Sequence, residues 1–112
     1  MAKKTLIMYS RTYGCPFVST AKRVLSEHGV KYTEIYIDED PTAKQRVLDW
    51  TGFESVPTLV VTENGKLLPE ETPSPLEPGS SPRGIDRGAM LTEPSGPQLK
   101  TWLEKHGFVT ES

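Results

Sequence analysis

The apolar positions change their spacing several times along this chain, and the changes mark its elements. Leu6-Ile7-Met8-Tyr9 is an unbroken apolar run after Thr5, which predicts a buried strand over 5–9 bounded by the turn-like Ser10-Arg11-Thr12. From Pro16 the period lengthens. Phe17, Val18, Ala21, Val24, Leu25 and His28 fall on one helical stripe. Pro16 suits the first helical turn, where its missing N–H has no partner to lose, and Gly29 supplies the stop. Lys31 to Ile37 alternates again and predicts a second strand. Asp40-Pro41 is a cap followed by a first helical residue, opening a helix through Ala43, Val47, Leu48 and Trp50 that Gly52 ends. Val56-Pro57 leads into a third strand, Thr58-Leu59-Val60-Val61. Asn64-Gly65 is a type I′ hairpin signal, so Lys66-Leu67-Leu68 is expected to pair antiparallel as a fourth strand. Pro97 opens a last helix with Leu99, Trp102, Leu103 and His106 on one face, and Gly107 closes it.

The predicted order is therefore β-α-β-α-β-β-α. A strand-helix-strand start implies a right-handed crossover and a parallel pair, and the later hairpin adds antiparallel strands. The result is an α/β protein with a four-stranded mixed sheet flanked by helices, the thioredoxin-fold arrangement. Residues 69–82 interrupt the pattern with Pro69, Pro73, Pro75, Pro78 and Pro82 among Gly, Ser and Glu. Such a stretch buries too little to offset its ordering entropy. It reads as a surface insertion within a single domain spanning 1–112, because the fold needs the helix beyond it.

Composition narrows the function classes. The 112 residues are 35% hydrophobic and 25% charged with a net charge of -2, which suits a globular domain and gives no basic footprint for nucleic acid. The first apolar run is too short for a signal-peptide core or a membrane span, so a cytoplasmic protein is expected; the chain is also expected to act as a monomer. A single cysteine excludes an internal disulfide framework and a Cys-rich zinc site, and no metal is expected.

That cysteine carries the candidate chemistry. Cys15 stands between the first strand and the first helix, in Tyr13-Gly14-Cys15-Pro16-Phe17-Val18. Unpaired N–H groups and the positive end of the helix dipole favour a thiolate there, with Arg11 adding charge nearby. A lone cysteine is otherwise often a small buried hydrophobe; a Gly-Cys-Pro junction opening a helix favours the nucleophile. His28 and His106, each before a glycine at a helix end, read as structural, and Trp50 and Trp102 as core anchors.

The run from Tyr9 through Cys15-Pro16-Phe17 to Ala21-Lys22-Arg23 resembles the active-site turn and helix of the glutaredoxin family. Tyr36-Ile37-Asp38, Thr51-Gly52 with Ser55-Val56-Pro57, and Gly84-Ile85-Asp86-Arg87 resemble further family segments in the same order. The resemblance implies a cis-proline at Pro57 beside the thiol, with the Val56 backbone pairing with glutathione. It implies that Asp86 and the Ile85 backbone hold the γ-glutamyl end, that Arg11 holds the glycyl carboxylate, and that Phe17 lines the groove where the family usually has tyrosine. Asp86 is open to a plain reading as a turn residue, and Arg11 to one as a solvated charge.

One departure changes the expected chemistry. The dithiol pattern needs a second cysteine three residues on, where this chain has Val18. The expectation is a monothiol thiol–disulfide oxidoreductase that reduces glutathionyl mixed disulfides of protein substrates through Cys15, with glutathione or another small thiol as co-substrate. A non-catalytic binding module of the same fold is the alternative from another class. A dimeric, glutathione-assisted iron–sulfur carrier is less favoured, because that branch has Cys-Gly-Phe-Ser at the turn.

Overall fold

In the computed structural model the described residues are 4–12, 16–63 and 83–108. They form β1 (Lys4–Ser10), α1 (Pro16–Glu27), β2 (Thr33–Tyr36), α2 (Pro41–Thr51), β3 (Thr58–Glu63), β4 (Met90–Thr92) and α3 (Gly96–Lys105). The strands make one sheet in the order β2-β1-β3-β4. β1 runs parallel to β2, with Ile7 opposite Thr33, and antiparallel to β3, with Tyr9 opposite Thr58. This is the mixed, four-stranded thioredoxin-like sheet that the order of periods predicts.

The core follows from β1's central place. Successive residues of a strand face opposite ways, yet Leu6, Ile7, Met8 and Tyr9 are all buried, so both faces of the sheet are covered. Helix α1 buries Val18, Ala21, Val24 and Leu25, and packs on α3, which buries Leu99, Trp102 and Leu103. Helix α2 buries Ala43 and Val47, and its Trp50 meets Tyr9 edge-on with ring centroids 5.5 Å apart.

The helix ends follow their local chemistry. Asp40 accepts from the Thr42 and Ala43 N–H groups at 3.0 and 3.1 Å, with Pro41 first in the helix. Gly52 ends α2 at φ 79°, a left-handed conformation that glycine enters without steric cost. Helix α3 begins one residue before Pro97, with Ser95 as its cap and Gln98 closing a reciprocal capping box. At its other end Trp102 donates from Nε1 to the Gly88 carbonyl at 2.9 Å, and the His106 ring stands edge-on against it.

The described residues include a strand that the sequence pattern does not mark. Asn64-Gly65, Lys66–Leu68 and the proline-rich 69–82 lie outside the described residues, and the strand beside β3 is Met90–Thr92, with Leu59 opposite Leu91. Three buried residues between Gly88-Ala89 and Glu93-Pro94 are too few to display a period. The chain before β4 also runs along it, with bridges from Arg83 to Thr92 and from Asp86 to Leu91. Arg87 in this segment is buried and donates to the Trp50 carbonyl at 2.6 Å, tying it to the end of α2.

Candidate functional site

The sheet brings three chain ends to one edge. Tyr9 pairs with Thr58, and Thr58 with Thr92. The exit of β1, the entry of β3 and the exit of β4 therefore lie side by side, with the start of α1 following the first of them. Cys15, with Tyr13 and Gly14, lies outside the described residues. In the sequence it is bonded directly to Pro16, where α1 begins.

The Val56-Pro57 peptide is cis, as the resemblance implies. Both residues are buried at the entry of β3, and the surrounding bonds hold the backbone there. Thr58 Oγ1 donates to the Ser55 carbonyl at 2.9 Å and lies 3.1 Å from Thr92 Oγ1. From the β4 side, Glu93 donates its N–H to the Pro57 carbonyl at 2.8 Å, with Glu93 itself at φ 45°. On the other side Thr51 Oγ1 accepts the Phe53 N–H and lies 2.8 Å from the Val47 carbonyl, anchoring the loop that leads to Val56.

Arg11, half-buried at the exit of β1, lines a cavity of about 370 Å³ with Ile37, Asp38, Glu39, Pro41, Lys44 and Glu54. The Thr12 hydroxyl and N–H both donate to Asp38, the hydroxyl bond being the main reason its carboxyl titrates below the usual range. Lys44 pairs with Glu54 at 2.8 Å and lowers that carboxyl in the same way. The charge of Arg11 adds to both shifts.

Phe17 lies in the first turn of α1, half-buried. The Arg83 guanidinium stands over its ring at 4.9 Å from the centroid and donates from Nε to Glu93 at 2.8 Å. Sequence reasoning passed over Arg83 and Glu93. Arg83 follows the proline-rich stretch with no periodic neighbour to mark it. The only local sign at Glu93 is the proline after it.

Val18, at the position of the missing second cysteine, is buried in the core. Ile85 and Asp86 are placed differently from the family segment they resemble. Strand β4 stands between them and the last helix, so Gly84-Ile85-Asp86 does not lead into α3; Glu93-Pro94-Ser95 does. The Asp86 carboxylate accepts from Lys105 Nζ, in the last turn of α3, and from the Gly88 N–H, both at 2.9 Å. Burial pushes that carboxyl up, but these donors outweigh it and leave it below its ordinary value. Ile85 is exposed.

A second polar group ties α1 to the sheet. Glu34 on β2 accepts from Ser10 Oγ at 2.6 Å and Tyr36 Oη at 3.0 Å, and pairs with Lys22 of α1 at 3.0 Å. Burial raises this carboxyl; Ser10, Lys22 and Tyr36 together outweigh the burial and hold it below the usual range.

Comparison with known proteins assigns the chain to a family. The family model described as glutaredoxin matches residues 6–68, more than half of the chain. A chloroplastic glutaredoxin from rice (Oryza sativa subsp. japonica), of the type called C4, is 34% identical over 64 residues, covering 54% of this chain and 47% of that protein. The chain thus matches about half the length of that curated relative. A crystal structure of a buckwheat glutaredoxin–glutathione complex is 29% identical, covering 50% of this chain and 53% of that one with a TM-score of 0.43. The family-model match takes in most of β1, the Cys15-Pro16 pair, α1, the Val56-Pro57 peptide and β3, and on it the chain belongs to the glutaredoxin family.

Proposed function

We propose that this glutaredoxin is a glutathione-linked monothiol oxidoreductase acting through Cys15. The observation that carries the reading is the single cysteine of the chain, directly before the first residue of α1 in a family-matched segment, with a core valine where a second thiol would stand. A dithiol cycle within one chain needs two thiols, so exchange must proceed with a thiol from outside.

In the proposed cycle the Cys15 thiolate attacks the glutathione sulfur of a protein–glutathione mixed disulfide. The bond to the protein sulfur breaks, the protein leaves as a thiolate and takes a proton from solvent, and Cys15 carries glutathione. The thiolate of a second glutathione attacks the glutathione sulfur on Cys15, releasing glutathione disulfide and restoring the Cys15 thiolate. Val56 and Pro57 flank the bound tripeptide, Phe17 lines its groove, and Arg11 attracts its glycyl carboxylate.

The test is reduction of a glutathionylated peptide by glutathione, comparing the protein with Cys15→Ser. The wild type is expected to accelerate the exchange and the variant to fall to the uncatalysed rate. Equal rates in the two would refute the proposal and favour a non-catalytic binding module.

A further inference from the structure

We propose that Asp38, acting through Thr12, is a positioning residue for Cys15: it fixes the chain leaving β1 so that the thiol is presented at the N-terminus of α1. The inference deepens the thiol-exchange reading of Cys15 and rests on it. Only three residues separate Thr12 from Pro16, the first residue of α1. Over so short a span, the place of Cys15 is set by where the two ends are held. Helix α1 holds one end, through Val18, Ala21, Val24 and Leu25 in the core. Asp38 holds the other.

The support beneath Asp38 is firm. Ile37 is buried and donates its N–H to the Ser10 carbonyl at 2.9 Å, joining the ends of β1 and β2. The Tyr36 carbonyl accepts the Glu39 and Asp40 N–H groups at 3.1 and 3.0 Å, and Asp40 in turn caps α2. From this turn the Asp38 carboxylate reaches Thr12, 26 positions earlier. One oxygen accepts the Thr12 N–H at 3.1 Å and the other accepts the Thr12 hydroxyl. Two bonds to one residue fix its orientation as well as its place. The hydroxyl bond is the main reason the carboxyl titrates below its usual range, so Asp38 stays ionised and acceptor-only at neutral pH.

Neither stability nor charge accounts for the clasp. Asp38 and Thr12 are both exposed, and bonds between exposed groups replace bonds to water and add little to the fold. A carboxylate near a thiol opposes its ionisation. Asp38 shares its cavity with Glu39 and Glu54 as well as with Arg11 and Lys44, so the surrounding charge is mixed. Position is what remains. The helix dipole and the unpaired N–H groups act only within the first turn, so they favour the thiolate only while Cys15 is held there. Charge and position thus act on Cys15 in opposite directions.

The test follows alkylation of Cys15 by iodoacetamide against pH in the full chain, where no other cysteine reacts. The wild-type midpoint is expected below the free-thiol value of about 8.5. Asp38→Ala should raise it by about 0.5–1 pH unit toward that value. Thr12→Val, which loses the hydroxyl, should raise it less, and Thr12→Ser, which keeps both donors, should match the wild type. The urea midpoints of these variants should stay close to that of the wild type. A thiol midpoint in Asp38→Ala that falls or does not move would overturn the inference; a fall is what losing a nearby negative charge alone would give. A loss of stability with an unmoved thiol would overturn it too, leaving Asp38 a structural residue. Where Asp38→Ala does not fold, Thr12→Val and Thr12→Ser decide, and equal thiol midpoints in that pair count against the inference. A raised midpoint in Asp38→Ala upholds the positioning role even if glutathionylated peptide is not turned over, because alkylation needs no glutathione. A wild-type midpoint at the free-thiol value refutes the nucleophile reading and this inference together.

Discussion

Replacing Glu34 by alanine removes the acceptor of three donors at once. Ser10 is fully buried at the end of β1, and its hydroxyl donates to Glu34 at 2.6 Å. A hydrogen bond to a charged acceptor contributes about 1.5–3 kcal/mol, and a buried hydroxyl stripped of its partner costs a comparable amount. Lys22 is 42% exposed, so its ion pair with Glu34 adds less than about 1 kcal/mol. The expected loss for Glu34→Ala is therefore about 2–3 kcal/mol, or roughly 6–12 °C in Tm for a domain of this size. A double-mutant cycle with Ser10→Ala isolates the bond. In urea unfolding followed by circular dichroism, Ser10→Ala should destabilise the wild type but cost almost nothing in the Glu34→Ala background, a coupling of about 1–2 kcal/mol. The carboxyl is held below its ordinary range in the folded state. Its contribution is therefore complete above the unfolded value near 4.3 and is lost as pH falls through the lower folded value. The gap between wild type and Glu34→Ala should be constant from about pH 6 to 8 and narrow below about pH 4. Additive single losses, or a gap that widens in acid, would refute the reasoning.

Two further substitutions test how the site's surroundings are held. Asp40→Ala removes the side-chain acceptor for two N–H groups at the start of α2 and should cost about 1 kcal/mol, read as a lower urea midpoint at unchanged m-value. Thr51→Val keeps the shape but deletes the hydroxyl that accepts the Phe53 N–H, and should cost about 1–2 kcal/mol. Hydrogen exchange of the Phe53 amide should accelerate in that variant while amides in the centre of β1 stay protected.

The elements with strong periods are legible in the order of residues alone. A helical stripe that must bury one face predicts α1 whatever it packs against, and Asp40-Pro41 with Gly52 delimits α2 by bonds made within the helix itself. Cys15-Pro16 at a strand–helix junction and the Val56-Pro57 pair are likewise local patterns, so the family resemblance they carry is readable from the chain. Strand β4 is different. Met90, Leu91 and Thr92 are a strand because β3 offers an edge to pair with, and three residues cannot announce that by themselves. Asn64-Gly65 is the stronger local signal for a turn, and it draws the predicted fourth strand to residues 66–68.

The same division runs through the site. Residue identity and spacing alone establish that there is one thiol, that it directly precedes a helix, and that Val18 leaves it without an internal partner. What faces that helix depends on how the strands pair. With β4 formed from Met90–Thr92, Glu93 rather than Asp86 follows the strand toward α3 and bonds the Pro57 carbonyl. Asp86 is drawn instead to Lys105, and Arg83 comes to rest on Phe17, 66 positions earlier in the chain. Contacts at that separation are set by strand pairing, which satisfies backbone donors and acceptors between segments that carry no mark of one another in the sequence.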